Sequence, residues 1–136
     1  MRLSGKKAII IWTAGMLITA CSMDPRPPKD PVALEKLALE IRDVVEPGFT
    51  LRKEKIPASM WRRLREQGGY GAAVNPDSNA VMIGIAGFPR NYLYYYRLGD
   101  VTPEWERKVR IQGLVEVADR WYWYECPRSR FNFYPC

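Results

Sequence analysis

The central hairpin signal of this chain is YGAAVNPDSNAVMIGIAGF, which spans residues 70–88. Two apolar runs, 70–74 and 80–88, flank the turn-forming sequence NPDSN at 75–79. Asparagine, aspartate and proline favour tight turns because their backbones adopt the required angles at little cost. The pattern therefore predicts two strands joined by a hairpin loop.

Further extended segments lie on both sides of this hairpin. Residues 91–98 read NYLYYYRL, and residues 121–124 read WYWY. Aromatic runs of this kind favour strands, because flat side chains pack well on a pleated surface. Residues 49–55 alternate poorly between polar and apolar types, and they predict a short strand before the hairpin.

Two segments before the hairpin carry helix signals. Asp30-Pro31 supplies an N-cap acceptor and a proline suited to the first turn, and apolar residues then recur at helical spacing. Pro47-Gly48 ends this pattern. A second helix is expected at 58–67, where it follows Pro57 and precedes two glycines.

A third helix signal starts at Thr102-Pro103, again a capping residue followed by proline. The stretch 109–118 that follows fits the spacing of a helix and that of a strand equally well. We favour a helix that begins at Pro103 and has Gly113 as its weak point.

These segments together predict a small α+β fold in one domain over residues 32–136. Two or three helices would pack on a mostly antiparallel sheet. The 116 residues that follow residue 20 of this 136-residue chain suit a single domain.

The first 21 residues, MRLSGKKAIIIWTAGMLITAC, have the composition of a secretory signal peptide. A basic start precedes a short apolar run and then small residues. The run is shorter than the ~20 apolar residues that a spanning helix needs, which disfavours the alternative of an uncleaved anchor helix over 6–23. We therefore expect residues 1–20 to be removed.

The sequence Ile18-Thr19-Ala20-Cys21 resembles the lipobox of bacterial lipoproteins. That resemblance implies that Cys21 is diacylated and becomes the first residue of a membrane-anchored chain. In such proteins an aspartate after the cysteine favours the inner membrane, and here that position is Ser22. The expected location is thus the outer membrane, with the domain at its periplasmic face rather than at the cell surface.

Residues 22–31, SMDPRPPKDP, contain four prolines and predict an extended, semi-rigid spacer. Residues 21–31 would therefore form a lipidated tether that lifts the domain off the bilayer.

Charge and composition exclude several functions. The chain has 21 basic and 15 acidic residues, but three of the basic residues lie within the first seven positions, so 18 basic residues face 15 acidic ones after residue 20. An excess of +3 gives little support to a nucleic-acid partner. The absence of histidine removes the commonest general base and metal ligand. We expect no enzyme activity, no cofactor and no metal.

Cys126 and Cys136 remain as an even pair in an oxidising compartment. A disulfide between them is the favoured interpretation, since it would hold a terminus that otherwise frays. The alternative is a pair of reactive thiols, although the spacing is not that of a redox motif.

Aromatic and arginine residues concentrate near the C-terminus and on the second helix. Trp, Tyr and Arg dominate protein interfaces, which favours a recognition surface over 121–134, while the same aromatics would equally suit a core. The arginines of helix 58–67 suit lipid phosphate or an acidic partner, or simply a solvated face. The partner-binding candidates are Trp121, Trp123, Arg128, Arg130, Phe131, Phe133, Tyr134, Arg62 and Arg63.

The chain resembles the small lipoproteins of secretion, conjugation or pilus complexes in its lipobox, its tether, its small domain and its interface-like composition. This resemblance implies that the protein is a protein-binding structural or assembly component of an envelope machine. Its partners would be the membrane and other envelope proteins, and it could form oligomers within such a complex. The alternative is a glycan- or small-ligand-binding lipoprotein that uses the aromatic cluster. A flat aromatic patch would favour the first function, and a concave site with convergent polar groups the second.

Overall fold

The computed structural model describes residues 23–48, 51, 54–77 and 79–127. Within these ranges the chain forms three helices and five strands, and none of the helices is long and apolar enough to cross a bilayer. In chain order the elements are α1 (Pro31–Val44), α2 (Ala58–Glu66), β1 (Gly69–Val74), β2 (Ala80–Ile85), β3 (Tyr92–Arg97), α3 (Pro103–Gln112), β4 (Val115–Ala118) and β5 (Trp121–Glu125).

The strands form one antiparallel sheet in the order β1-β2-β3-β5-β4. Helices α1 and α2 pack on one face of this sheet, and α3 packs on the other. The predicted small α+β domain with a mostly antiparallel sheet is therefore confirmed for the described residues.

The predicted hairpin forms between β1 and β2. Val74 pairs with Val81, and the backbone N–H of Asn75 donates to the carbonyl of Ala80 at 2.8 Å. The side chains of Asn75 and Asn79 hydrogen-bond across the turn. Gly84 is needed for close approach, because a Cβ there would lie only 2.6 Å from Cζ of Tyr70.

Capping residues define the helix ends as the sequence indicates. The Asp30 side chain accepts from the N–H of Ala33 at 3.1 Å, and the Thr102 hydroxyl accepts from that of Trp105 at 3.1 Å. Gly113 ends α3 in the left-handed conformation, with φ of 70°. The ambiguous stretch 109–118 is thus helix up to Gln112 and strand from Val115 onward, so each pattern holds for one half.

Strand β3 is buried on both faces. Tyr92, Tyr94 and Tyr96 belong to the core under α1 and α2, while Leu93 and Tyr95 belong to the core under α3. The alternation follows from the pleat, which sends successive side chains to opposite faces.

Residues 23–30 lie against the domain, which corrects the expectation of a spacer. The N–H of Met23 donates to Oε1 of Glu125 at 2.7 Å, and the Tyr94 hydroxyl donates to the carbonyl of Arg26 at 2.8 Å. Met23 packs on the α1/α2 core and Pro28 is buried. The prolines do prevent regular structure here, but buried groups of the sheet supply partners that hold the segment in place.

The strand expected over 49–55 falls largely outside the described residues, which lack 49, 50, 52 and 53. Glu54 and Lys55 form a turn. Before this segment, Pro47 makes a parallel bridge to Val74, and the N–H of Gly48 donates to the Val74 carbonyl at 2.8 Å. The chain therefore covers the outer edge of β1 at this point.

The buried tyrosines predict a fall in stability at alkaline pH. Burial raises the pKa of the Tyr95 hydroxyl well above its ordinary value of 10, and the neighbouring Tyr124 raises it further. Above about pH 10 the hydroxyl ionises in the unfolded chain but not in the folded one. The unfolding free energy should then fall by up to about 1.4 kcal/mol per pH unit for this residue. Urea unfolding of wild type and Tyr95→Phe across this range measures the effect, and equal slopes for the two chains would contradict it.

Candidate functional site

Trp121 and Trp123 are core residues, which corrects their assignment to a partner surface. Each is 2% exposed. The Trp123 ring stacks on Tyr92 with 4.2 Å between centroids, and the Trp121 ring lies 4.8 Å from that of Tyr96. Strand β5 lies between β3 and β4 in the sheet, and both of its faces are covered because helices pack on the two sides of the sheet. Alternation along the strand therefore separates two cores instead of a core from solvent.

Several other candidates lie outside the described residues. They are Cys21, Arg128, Arg130, Phe131, Phe133, Tyr134 and Cys136. Cys126 is buried and disulfide-bonded, and its N–H donates to the carbonyl of Asn91 at 3.0 Å. The pairing of Cys126 with Cys136 stays a prediction.

The two remaining candidates, on α2, differ in their surroundings. Arg63 donates to a carboxylate oxygen of Glu40, so it joins α2 to α1. Arg62 is exposed and forms no ion pair with any described residue. Arg63 thus serves the packing of the two helices, while Arg62 is available to a partner.

A cavity of about 430 Å³ lies between the proline-rich segment and the C-terminal end of α2. Buried apolar and aromatic residues, including Ile85, Tyr92 and Tyr94, line its inner part. Its charged lining residues are Arg26, Lys29, Arg65 and Glu66, all exposed. We call this site the basic cavity.

The basic cavity continues onto the outer side of α2. A shallow depression there is lined by Ala58, Trp61, Arg62, Arg65 and Glu66, so Arg65 and Glu66 border both recesses. The described lining residues of the combined surface thus include four basic side chains and one carboxylate. Its chemistry suits carboxylate or phosphate groups, because guanidinium groups bind them by paired, charge-assisted hydrogen bonds.

Sequence reasoning located part of this surface and missed the rest. Arg62 and Arg65 lie on the predicted basic helix, whereas Arg26 and Lys29 lie in the segment that the sequence predicts to be a spacer. The segment docks because Tyr94 needs an acceptor for its buried hydroxyl, and this requirement is visible only once β3 is known to be covered. Among the described residues, no group of acidic, cysteine or histidine side chains is arranged to hold a metal ion.

Comparisons give no relative from which a function could be transferred: no family model, no curated protein and no solved structure matches this chain.

The burial of the two tryptophans predicts a large stability loss on truncation. Trp121→Ala and Trp123→Ala should each lower the unfolding free energy by about 3–5 kcal/mol, because each leaves a cavity in the core. Arg62→Ala, at an exposed position, should change it by no more than about 0.5 kcal/mol. Urea unfolding measures all three variants. A tryptophan variant as stable as Arg62→Ala would show that its ring does not contribute to the core.

Proposed function

We propose that this protein is a lipid-anchored component of an envelope machine that binds an acidic protein partner through the basic cavity and the adjoining face of α2. The observation that carries the proposal is the charge of this surface: its described lining residues include the basic Arg26, Lys29, Arg62 and Arg65 and one acidic residue, Glu66. Exposed charges of one sign steer association with partners of the opposite charge and disfavour other partners.

Membrane attachment through Cys21 remains part of the proposal, and the position of Met23 gives it a geometric consequence. Cys21 precedes Met23 by two residues, and two residues of extended chain span at most about 7 Å. Met23 is held on the sheet by Glu125. A lipid on Cys21 would thus keep this end of the domain next to the bilayer.

An exposed aromatic residue stands at the same end. The Glu125 carboxylate that accepts from Met23 also accepts from Arg90 at 3.3 Å. Two residues before Arg90, Phe88 is 92% exposed. Aromatic side chains favour the interface between water and lipid, so this position of Phe88 supports a membrane-facing role for this end.

The concave shape of the basic cavity favours a second candidate function, the binding of a small anionic ligand. Its volume of about 430 Å³ falls within the range of small-molecule sites. A glycan site built on Trp121 and Trp123 has no support, because both rings are buried. The protein-binding function is preferred because the charged surface extends beyond the cavity to Arg62.

The anchor is tested by the mass of the membrane-bound protein. Wild type should lack residues 1–20 and carry a diacylglycerol on Cys21, whereas Cys21→Ser should stay unprocessed or leave the membrane fraction. The stable anchoring expected of two or more acyl chains explains the difference. An unmodified, full-length chain in the wild-type membrane fraction would rule out lipidation at this residue.

The partner surface is tested by charge reversal with a matched control. Arg62→Glu/Arg65→Glu should reduce the acidic proteins that co-purify with the tagged chain from solubilised envelope by about tenfold, a difference of about 1.4 kcal/mol in binding. The control, Arg107→Glu/Arg110→Glu, changes two exposed arginines of α3 on the opposite face of the sheet.

Quantitative mass spectrometry compares the proteins bound by the two variants, and their melting temperatures establish that both remain folded. Equal losses in the two variants would indicate a general charge effect. If the Arg62→Glu/Arg65→Glu variant retains every partner of the wild type, this face of α2 is not the interface.

A further inference from the structure

A second cavity lies on the opposite face of the sheet, where the loop after β3 leads into α3. Its volume is about 250 Å³. The lining residues are Asn79, Arg97, Leu98, Gly99, Asp100, Thr102 and Trp105. Arg97 is the last residue of β3 and Trp105 lies in the first turn of α3, so the strand and the helix both contribute to the walls.

Two buried side-chain N–H groups of residues that line this cavity have no hydrogen-bond partner among the described residues. They are Nε of Arg97 and Nε1 of Trp105, on residues that are 9% and 2% exposed. A buried donor without an acceptor is unfavourable, and each such group in a folded protein requires an explanation. Both residues line the same cavity, so a ligand bound there would lie close to both.

The charge of Arg97 is also uncompensated within the described chain. One terminal nitrogen donates to the carbonyl of Gly99, and the guanidinium forms no ion pair with a described residue. The carbonyls of Arg97 and Gly99 already accept from Arg120, at 3.2 and 3.0 Å. Both carbonyls are therefore already engaged by guanidinium groups. Among the described residues, the one carboxylate in the lining is that of Asp100, which is exposed and forms no ion pair with another described residue.

A second cation lies against the same tryptophan. The Lys108 ammonium is 5.8 Å from the ring centroid of Trp105 and 5.6 Å from that of Tyr95. Burial lowers the pKa of Lys108 to about 8, an effect that Asp77 partly offsets. The positive charges of Arg97 and Lys108 therefore raise the electrostatic potential near Trp105, which favours a bound anion.

We propose that this cavity binds a carboxylate carried on an apolar body, as at the C-terminus of a peptide or on a small aryl acid. The two unpaired N–H groups of Arg97 and Trp105 equal in number the two oxygens of one carboxylate, whereas a phosphate would leave further oxygens without donors. The buried ring of Trp105 offers an apolar wall to the rest of the ligand. This site is independent of the basic cavity, from which the sheet separates it.

The test follows the indole N–H resonance of Trp105 in the full chain, labelled with ¹⁵N-tryptophan and held in detergent micelles. Trp105→Phe identifies the resonance and retains most of the packing volume. Phenylacetate should shift this resonance saturably. Arg97→Lys, which removes the Nε donor and keeps the charge, should weaken the binding by roughly tenfold or more. The control Arg107→Lys, at an exposed arginine of α3 outside the lining, should bind like wild type.

Two further titrations distinguish the source of the carboxylate. A short peptide with a free C-terminus and the same peptide with a C-terminal amide are compared. A shift with the free peptide alone assigns the site to chain termini, and a shift with phenylacetate but neither peptide assigns it to small acids. Both results support the proposal.

Three results would overturn the carboxylate site. They are the absence of a saturable shift with any carboxylate, a saturable shift with inorganic phosphate in its place, and equal affinities of Arg97→Lys and Arg107→Lys. The other tryptophan resonances in each spectrum establish that the variant is folded, so a loss of binding is attributable to the site.

Discussion

Burial of β3 on both faces is the constraint on which the rest of this structure depends. All six residues of the strand are buried, and four of them are tyrosines. A buried hydroxyl is unfavourable unless it is hydrogen-bonded, so the tyrosines need acceptors from outside the sheet. The Arg26 carbonyl serves Tyr94, and the Glu35 carboxylate serves Tyr96 at 2.9 Å. The proline-rich segment and α1 are thereby tied to the centre of the fold.

The same strand places the two cavities at its opposite ends and on opposite faces. At its first residues, Tyr92 and Tyr94 form the inner wall of the basic cavity, which the docked segment closes on one side. At its last residue, the pleat that sends Tyr95 under α3 also sends Arg97 there. An arginine in that position must be buried beneath the helix, and the sheet offers it no carboxylate. Both sites thus arise from covering one strand that carries polar groups.

Local signals of the sequence were sufficient for much of the fold. Asp30-Pro31 and Thr102-Pro103 mark helix starts because capping depends on neighbouring residues alone, and the NPDSN turn defines the hairpin for the same reason. The burial of Trp121 and Trp123 could not be derived in this way. A strand whose polar and apolar residues alternate exposes one face to solvent only where no other element packs on that face. Helices α1 and α2 pack over Trp121 and Trp123, and both helices are distant from β5 in the sequence.

The candidate sites were less accessible to sequence reasoning, for a related physical reason. Arg62 and Arg65 lie on one amphipathic helix, so their common surface is visible in the sequence. Arg26 and Lys29 join that surface because their segment is held by contacts distant in sequence, such as the hydrogen bond between Tyr94 and Arg26, which are 68 positions apart. No sequence motif marks Arg97 and Trp105 as a site. What marks them is that each has an unpaired donor in the folded chain, and residue spacing does not reveal this.

The two edges of the sheet differ in how they deter pairing with another chain. Pro47 and Gly48 occupy the outer side of β1 at Val74, while β4 lies at the opposite edge and is only four residues long. The register of β4 shifts between Glu116 and Ala118, and such bulges twist an edge strand away from a regular ladder. A short, irregular edge strand that carries the exposed Glu116 is a poor template for intermolecular β-structure. Copies of this domain concentrated on one bilayer surface would therefore resist aggregation through their sheets, even at high local density.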